Sequence, residues 1–156
     1  MKRVLFLFFT SLFLASCFLQ KDYRKETFSF EDKGVSHSYS LVVPRGYKKK
    51  FTSVDEAGNN IITYSYKNGA IFYLAHMADT SVDMQPMNEQ DNVARQSLHT
   101  DALVYKGMDE LHLYWREVRQ KNFRAGYRFV HGDEEERFDS ATNYLVVWPM
   151  KNTSVR

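Results

Sequence analysis

Five histidines, one cysteine and several clusters of like charge are the side chains here whose chemistry reaches beyond folding. His37, His76, His99, His112 and His131 never recur at three- or four-residue spacing from one another, so no helical pair of imidazole ligands exists. Zinc needs three or four converging ligands, and no metal is expected. His76 and Asp79 stand three apart but straddle the end of a predicted strand. Asp79, Asp83, Glu89 and Asp91 surround one loop with the oxygen donors that calcium prefers, yet without the EF-hand spacing or its central glycine. Solvation is their expected role. No Gly-x-Ser-x-Gly, Ser-x-x-Lys, Walker-type loop or Gly-x-Gly-x-x-Gly occurs, which leaves no recognisable nucleophile constellation and no cofactor motif.

The arginines carry more. If Trp115, Phe123, Tyr127 and Phe129 turn to the core, period-two alternation puts Arg116, Arg124 and Arg128 on the opposite face, with His112 and Tyr114. Guanidinium groups among aromatic rings hold carboxylates, phosphates or sugar acids. In the competing reading they pair with Glu117, Asp139 or the run Asp133 to Glu136, which neutralises the patch. Lys48-Lys49-Lys50, between Tyr47 and Phe51, is either a contact for anionic lipid headgroups or a solvated loop.

The elements that position these groups belong to one domain, because 156 residues at 44% hydrophobic content suffice for a single core. Twelve Phe, ten Tyr and two Trp exclude a disordered chain. One cysteine excludes an internal disulfide. A net charge of +2 argues against a nucleic-acid binder.

Lys2 and Arg3 precede an apolar run of twelve residues, Val4 to Ala15, broken only by Thr10 and Ser11. That length suits a signal peptide and falls short of the roughly 20 residues a spanning helix needs. The run ends in Leu14-Ala15-Ser16-Cys17, which resembles the lipobox of bacterial lipoproteins. The resemblance implies cleavage before Cys17, acylation of its sulfur and membrane attachment through the acyl chains. It also explains a lone thiol in an oxidising compartment. Phe18, rather than Asp, follows the cysteine, which implies the outer membrane facing the periplasm. Lys21-Asp22 resembles charged surface-export signals, so surface exposure stays open. Removing residues 1–16, which hold Lys2, Arg3 and no acid, leaves 19 basic and 19 acidic side chains.

Residues 17–34 read as a lipidated N-terminus and tether, and 35–156 as a single α+β domain. Ser36 to Val43 alternates as a strand before Pro44, and Arg45 to Asn60 reads as a loop. Ile61 to Tyr66 and Ala70 to His76 flank Lys67-Asn68-Gly69, a hairpin signal. Glu89 to Leu98 fits a helix capped by Asn88. Leu111 to Val118 and Phe123 to Phe129 form a second hairpin around Lys121-Asn122. Asp133 to about Val146 is a helix, with Phe138, Ala141, Leu145 and Trp148 on one face and acids at its start. The expected order is β-β-β-α-β-β-α, about five antiparallel strands with two helices on one face. It resembles small domains of the PsbP/Mog1 type in layout.

The expected function is that of a non-catalytic binding or accessory lipoprotein. Its partner would be another envelope protein or a small anionic ligand. The alternatives are an anchored hydrolase of envelope glycans or peptides, built for example on His76, Asp79 and His112, and a protective inhibitor lipoprotein.

Overall fold

The computed structural model describes residues 22–32, 35–78 and 102–147. Strands β1 (Tyr23–Asp32) and β2 (Val35–Pro44) pair antiparallel, from Tyr23 opposite Pro44 to Asp32 opposite Val35. The larger sheet holds β3 (Tyr47–Val54), β4 (Asn60–Tyr66), β5 (Ile71–His76), β6 (Leu103–Met108), β7 (Tyr114–Gln120) and β8 (Phe123–Val130). Its order is β3-β4-β5-β8-β7-β6, and every pairing is antiparallel. One helix follows, α1 (Glu135–Val147).

The small sheet and α1 cover one face of the large sheet. Phe28, Phe30, Tyr39, Leu41 and Val43 from the small sheet pack with Ile62, Tyr64, Tyr66, Phe72 and Leu74. Phe138 and Ala141 of α1 join the same cluster. Phe138 meets Tyr66 edge-on at 5.0 Å between ring centres and Tyr127 at 5.5 Å, a geometry aromatic quadrupoles favour. The second face of the sheet is also buried at Tyr73, Ala75, Trp115, Glu117, Arg119 and Arg124.

The expected fold class does not hold. Among the described residues the chain is mostly β, eight strands with one helix, rather than five strands with two helices. The order on which the PsbP/Mog1 likeness rested goes with it. Three strands account for the difference. Tyr23–Asp32 lies where a tether was expected, and its buried Phe28 and Phe30 alternate with exposed Thr27 and Ser29. Tyr47–Val54, expected as loop, is an edge strand exposed at every position from Lys48 on. A strand with both faces in water shows no hydrophobic alternation for sequence to reveal. Leu103–Met108 is the third. The helix expected over Glu89 to Leu98 lies outside the described residues.

The two hairpins expected from the sequence, β4–β5 and β7–β8, fall where turn chemistry placed them, and β3–β4 and β6–β7 form two more. Gly69 has φ +88°, a left-handed conformation that costs glycine nothing, and Asn68 Oδ1 accepts the Ala70 amide at 3.1 Å. The β7–β8 turn is Lys121-Asn122.

Candidate functional site

The five residues expected to share one exposed face are divided by strand register. Arg116 lies opposite Tyr127, whose side chain is in the core, so Arg116 points to the α1 side rather than outward. Trp115, expected in the core, belongs to the other face. Between these strands two steps on β7, Tyr114 to Arg116, match three on β8, Val130 to Tyr127. The extra β8 residue is accommodated where Phe129 adopts φ +59°, a bulge that takes Phe129 out of simple alternation.

Arg116 is 6% exposed. Its Nη1 stands 3.0 Å from Asp139 Oδ1, and Nη2 donates to Asn143 Oδ1 at 2.6 Å. Asp139 also accepts the Tyr127 hydroxyl at 2.6 Å. This arginine therefore pins α1 to the sheet. Tyr114 is half-buried against the core. His112 is exposed, with φ +57°, in a turn organised by Asp109 Oδ1, which accepts the Leu111 and Leu113 amides at 2.9 Å.

Arg124 and Arg128 do lie on the second face. Arg124 is buried, and its Nη1 donates to the carbonyls of Lys121 at 2.7 Å and Phe123 at 3.0 Å. Arg128 sits 5.3 Å from the Tyr73 ring centre. Next to them Glu117 accepts the Tyr73 hydroxyl at 2.5 Å and Arg119 Nε at 2.6 Å, and Arg119 lies 4.5 Å over the Tyr105 ring. Burial, then the Glu117 charge, hold the Tyr73 hydroxyl far above its usual range. This face is thus a buried charge network.

A second network lies on the core side of the small sheet. Glu26, with a side chain 9% exposed, accepts the Tyr64 hydroxyl at 2.7 Å, the Tyr47 hydroxyl at 2.9 Å and Lys50 Nζ at 2.7 Å. Burial works to raise the Glu26 pKa, but the hydrogen bonds from Lys50, Tyr64 and Tyr47 bring it below its ordinary value.

The side chains that do converge on open space come from three separate connections. Arg45 and Gly46 between β2 and β3, Lys67 and Asn68 between β4 and β5, and Glu134 and Arg137 at the start of α1 line a pocket of about 250 Å³ beside Tyr66. Tyr66 is buried and donates to the Pro44 carbonyl at 2.6 Å. Arg45 Nε donates to the Tyr23 carbonyl at 2.8 Å. Glu134 accepts Arg137 Nη2 at 2.9 Å and also Asn68 Nδ2. Three cations thus face one carboxylate, a surplus of two positive charges held by two short turns and the first turn of α1. The sequence held no signal for this site. Arg45 fell in an expected loop, Lys67 in a turn and Glu134 among helix-start acids.

The hydrolase trio does not assemble among the described residues. His76 ends β5 and stacks on Phe30 at 5.4 Å, whereas His112 precedes β7, which runs parallel to β5 two strands away. The two therefore lie at opposite ends of the sheet. Asp79, like Cys17, lies outside the described residues. Among those described, no three His, Cys, Asp or Glu side chains are grouped to hold a metal, and no helix is long and apolar enough to cross a membrane. In comparisons with protein families, curated proteins and solved structures, nothing matches this chain.

Proposed function

We propose that this chain is a cell-envelope lipoprotein, held through acylated Cys17 in the outer membrane facing the periplasm, whose β domain is a non-catalytic binding module. The module takes a small anion, and the observation that carries this is the Arg45, Lys67 and Arg137 pocket around the single carboxylate of Glu134. Guanidinium and ammonium donors that converge in this way bind carboxylate or phosphate oxygens with charge-assisted hydrogen bonds. Tyr66 supplies a neutral, immobile wall, since burial keeps its hydroxyl protonated well beyond the usual tyrosine range.

The lipidation arm is read by intact mass of the envelope-purified protein, where two or three acyl chains on Cys17 are expected. The pocket arm is read by titrating the protein with phosphate and acetate while following amide shifts of Gly46, Lys67 and Asn68. A saturable shift at these three residues, lost in Lys67→Glu, supports the reading. Identical titrations of wild type and Lys67→Glu overturn it.

A further inference from the structure

The place where the chain leaves the fold toward Cys17 adjoins the pocket. The Arg45 amide donates to the Asp22 carbonyl at 2.9 Å, and the Arg45 side chain to the Tyr23 carbonyl at 2.8 Å. Only residues 18–22 separate Cys17 from the first strand. Five residues reach at most about 18 Å even when fully extended. On the reading that Cys17 is acylated, on which this inference rests, Arg45 is held within that reach of the bilayer surface.

The same end of the fold is rich in exposed cations. Arg24 has a side chain 62% exposed, and Lys25, Lys48, Lys49 and Lys67 are exposed as well. Asp133, Glu135 and Glu136 at the helix start carry the opposite charge, which confines the favourable surface to the strand side of the pocket. Basic residues near an anionic leaflet each contribute about 1 kcal/mol, and the effect fades within a Debye length. A tether this short lets these residues come inside that range.

We propose that the Arg45, Lys67 and Arg137 pocket takes the phosphate of an anionic lipid headgroup in the leaflet that holds Cys17, with Arg24, Lys25, Lys48 and Lys49 lying against neighbouring headgroups. The anchor and the pocket then act together. The acyl chains fix the distance from the membrane, and the phosphate fixes which end of the domain faces it. A second attachment beside the first is an intramolecular event and gains effective concentration accordingly.

The test uses envelope-purified protein in lipid nanodiscs of phosphatidylcholine alone or with phosphatidylglycerol, followed by amide hydrogen exchange. Exchange at Gly46 and at Lys67 to Gly69 is expected to slow about tenfold in the phosphatidylglycerol discs, the protection given by a site about nine-tenths occupied. Lys67→Gln changes an exposed turn residue and should erase the difference. Lys106→Gln, at the other edge of the sheet, should preserve it. Equal exchange in both discs, or protection that survives Arg45→Gln/Lys67→Gln, overturns the proposal. Equal protection by free glycerol phosphate in phosphatidylcholine discs assigns the pocket to a soluble phosphate and overturns the lipid assignment. Mass measurement at Cys17 on the same sample separates the two readings. Acylated protein without lipid selectivity removes only the headgroup site, and unacylated protein with selectivity removes only the anchor.

Discussion

The Tyr73 hydroxyl reaches Glu117 Oε2 at 2.5 Å by crossing an intervening strand, and Gly126 is the residue it passes over. Gly126 pairs with Tyr73 on β5 and with Glu117 on β7, so the three stand in one row. A Cβ at Gly126 would lie 2.7 Å from the Tyr73 hydroxyl oxygen and 2.1 Å from the Arg116 carbonyl oxygen. Neither the ring nor the backbone can retreat, because Tyr73 and Arg116 are both buried. Gly126→Ala should therefore lower unfolding stability by about 3 kcal/mol, the upper range for overpacking. Tyr73→Phe should cost less, about 1–2 kcal/mol, since Glu117 keeps Arg119. Urea denaturation of the two variants checks the order; a Gly126→Ala loss no larger than that of Tyr73→Phe refutes the steric account.

Glu26 predicts an acid limb. Its folded pKa lies below its ordinary 4.5. Stability from this group is thus fully present above that value and is lost as pH falls through the lowered folded one. Glu26→Gln should lower stability at pH 7 by about 1–3 kcal/mol, since two tyrosines and a lysine lose a charged acceptor. It should also flatten the decline below pH 4.5, where the wild type begins to weaken. Parallel wild-type and Glu26→Gln curves of stability against pH would show that the carboxylate is not the group that titrates.

The tyrosines predict the alkaline limb. Burial raises the hydroxyls of Tyr64, Tyr66, Tyr73 and Tyr127, and the Glu26 hydrogen bond raises that of Tyr47. A group whose pKa is raised by folding contributes stability below its unfolded value, near 10.0 here, and loses it as pH rises toward the folded value. These five should form tyrosinate only as the domain opens. Absorbance at 295 nm, followed together with circular dichroism above pH 10.0, should then gain the signal of these five only in the step in which circular dichroism is lost. A tyrosinate rise for all ten Tyr that precedes loss of structure would contradict this.

Sequence legibility followed local chemistry. Asn68-Gly69 and Lys121-Asn122 announced their hairpins because turn preferences act over four residues. The final helix was visible in Phe138 and Ala141, spaced three apart, and in its opening acids. The edge strand Tyr47–Val54 was hidden because exposure on both faces leaves no alternation. Tyr23–Asp32 was hidden because Arg24, Lys25 and Glu26 resemble a tether, although Glu26 is bound by Tyr47, Tyr64 and Lys50. The arginine face failed for a different reason. Both faces of the central strands are buried, so apolar and charged residues occur on each, and only register tells Arg116 from Trp115. The pocket was illegible because turns far apart in sequence supply it.

Register also gives Arg116 a testable role in holding α1. It is buried beside Asp139, which accepts Tyr127 as well, and Asn143 completes the contact. Removing one partner of a buried ion pair leaves a charge without compensation and costs about 3–5 kcal/mol, whereas replacing both with apolar groups is often nearly neutral. Asp139 is 22% exposed at its side chain, so water will soften its loss. Arg116→Met and Asp139→Leu should each destabilise the domain, by about 2–4 kcal/mol after that allowance. The double variant should stand closer to wild type than their sum. A double-mutant cycle in urea, with hydrogen exchange along α1 as second readout, measures the coupling. Additive losses would mean that Arg116 and Asp139 act separately and that their ion pair does not hold the helix.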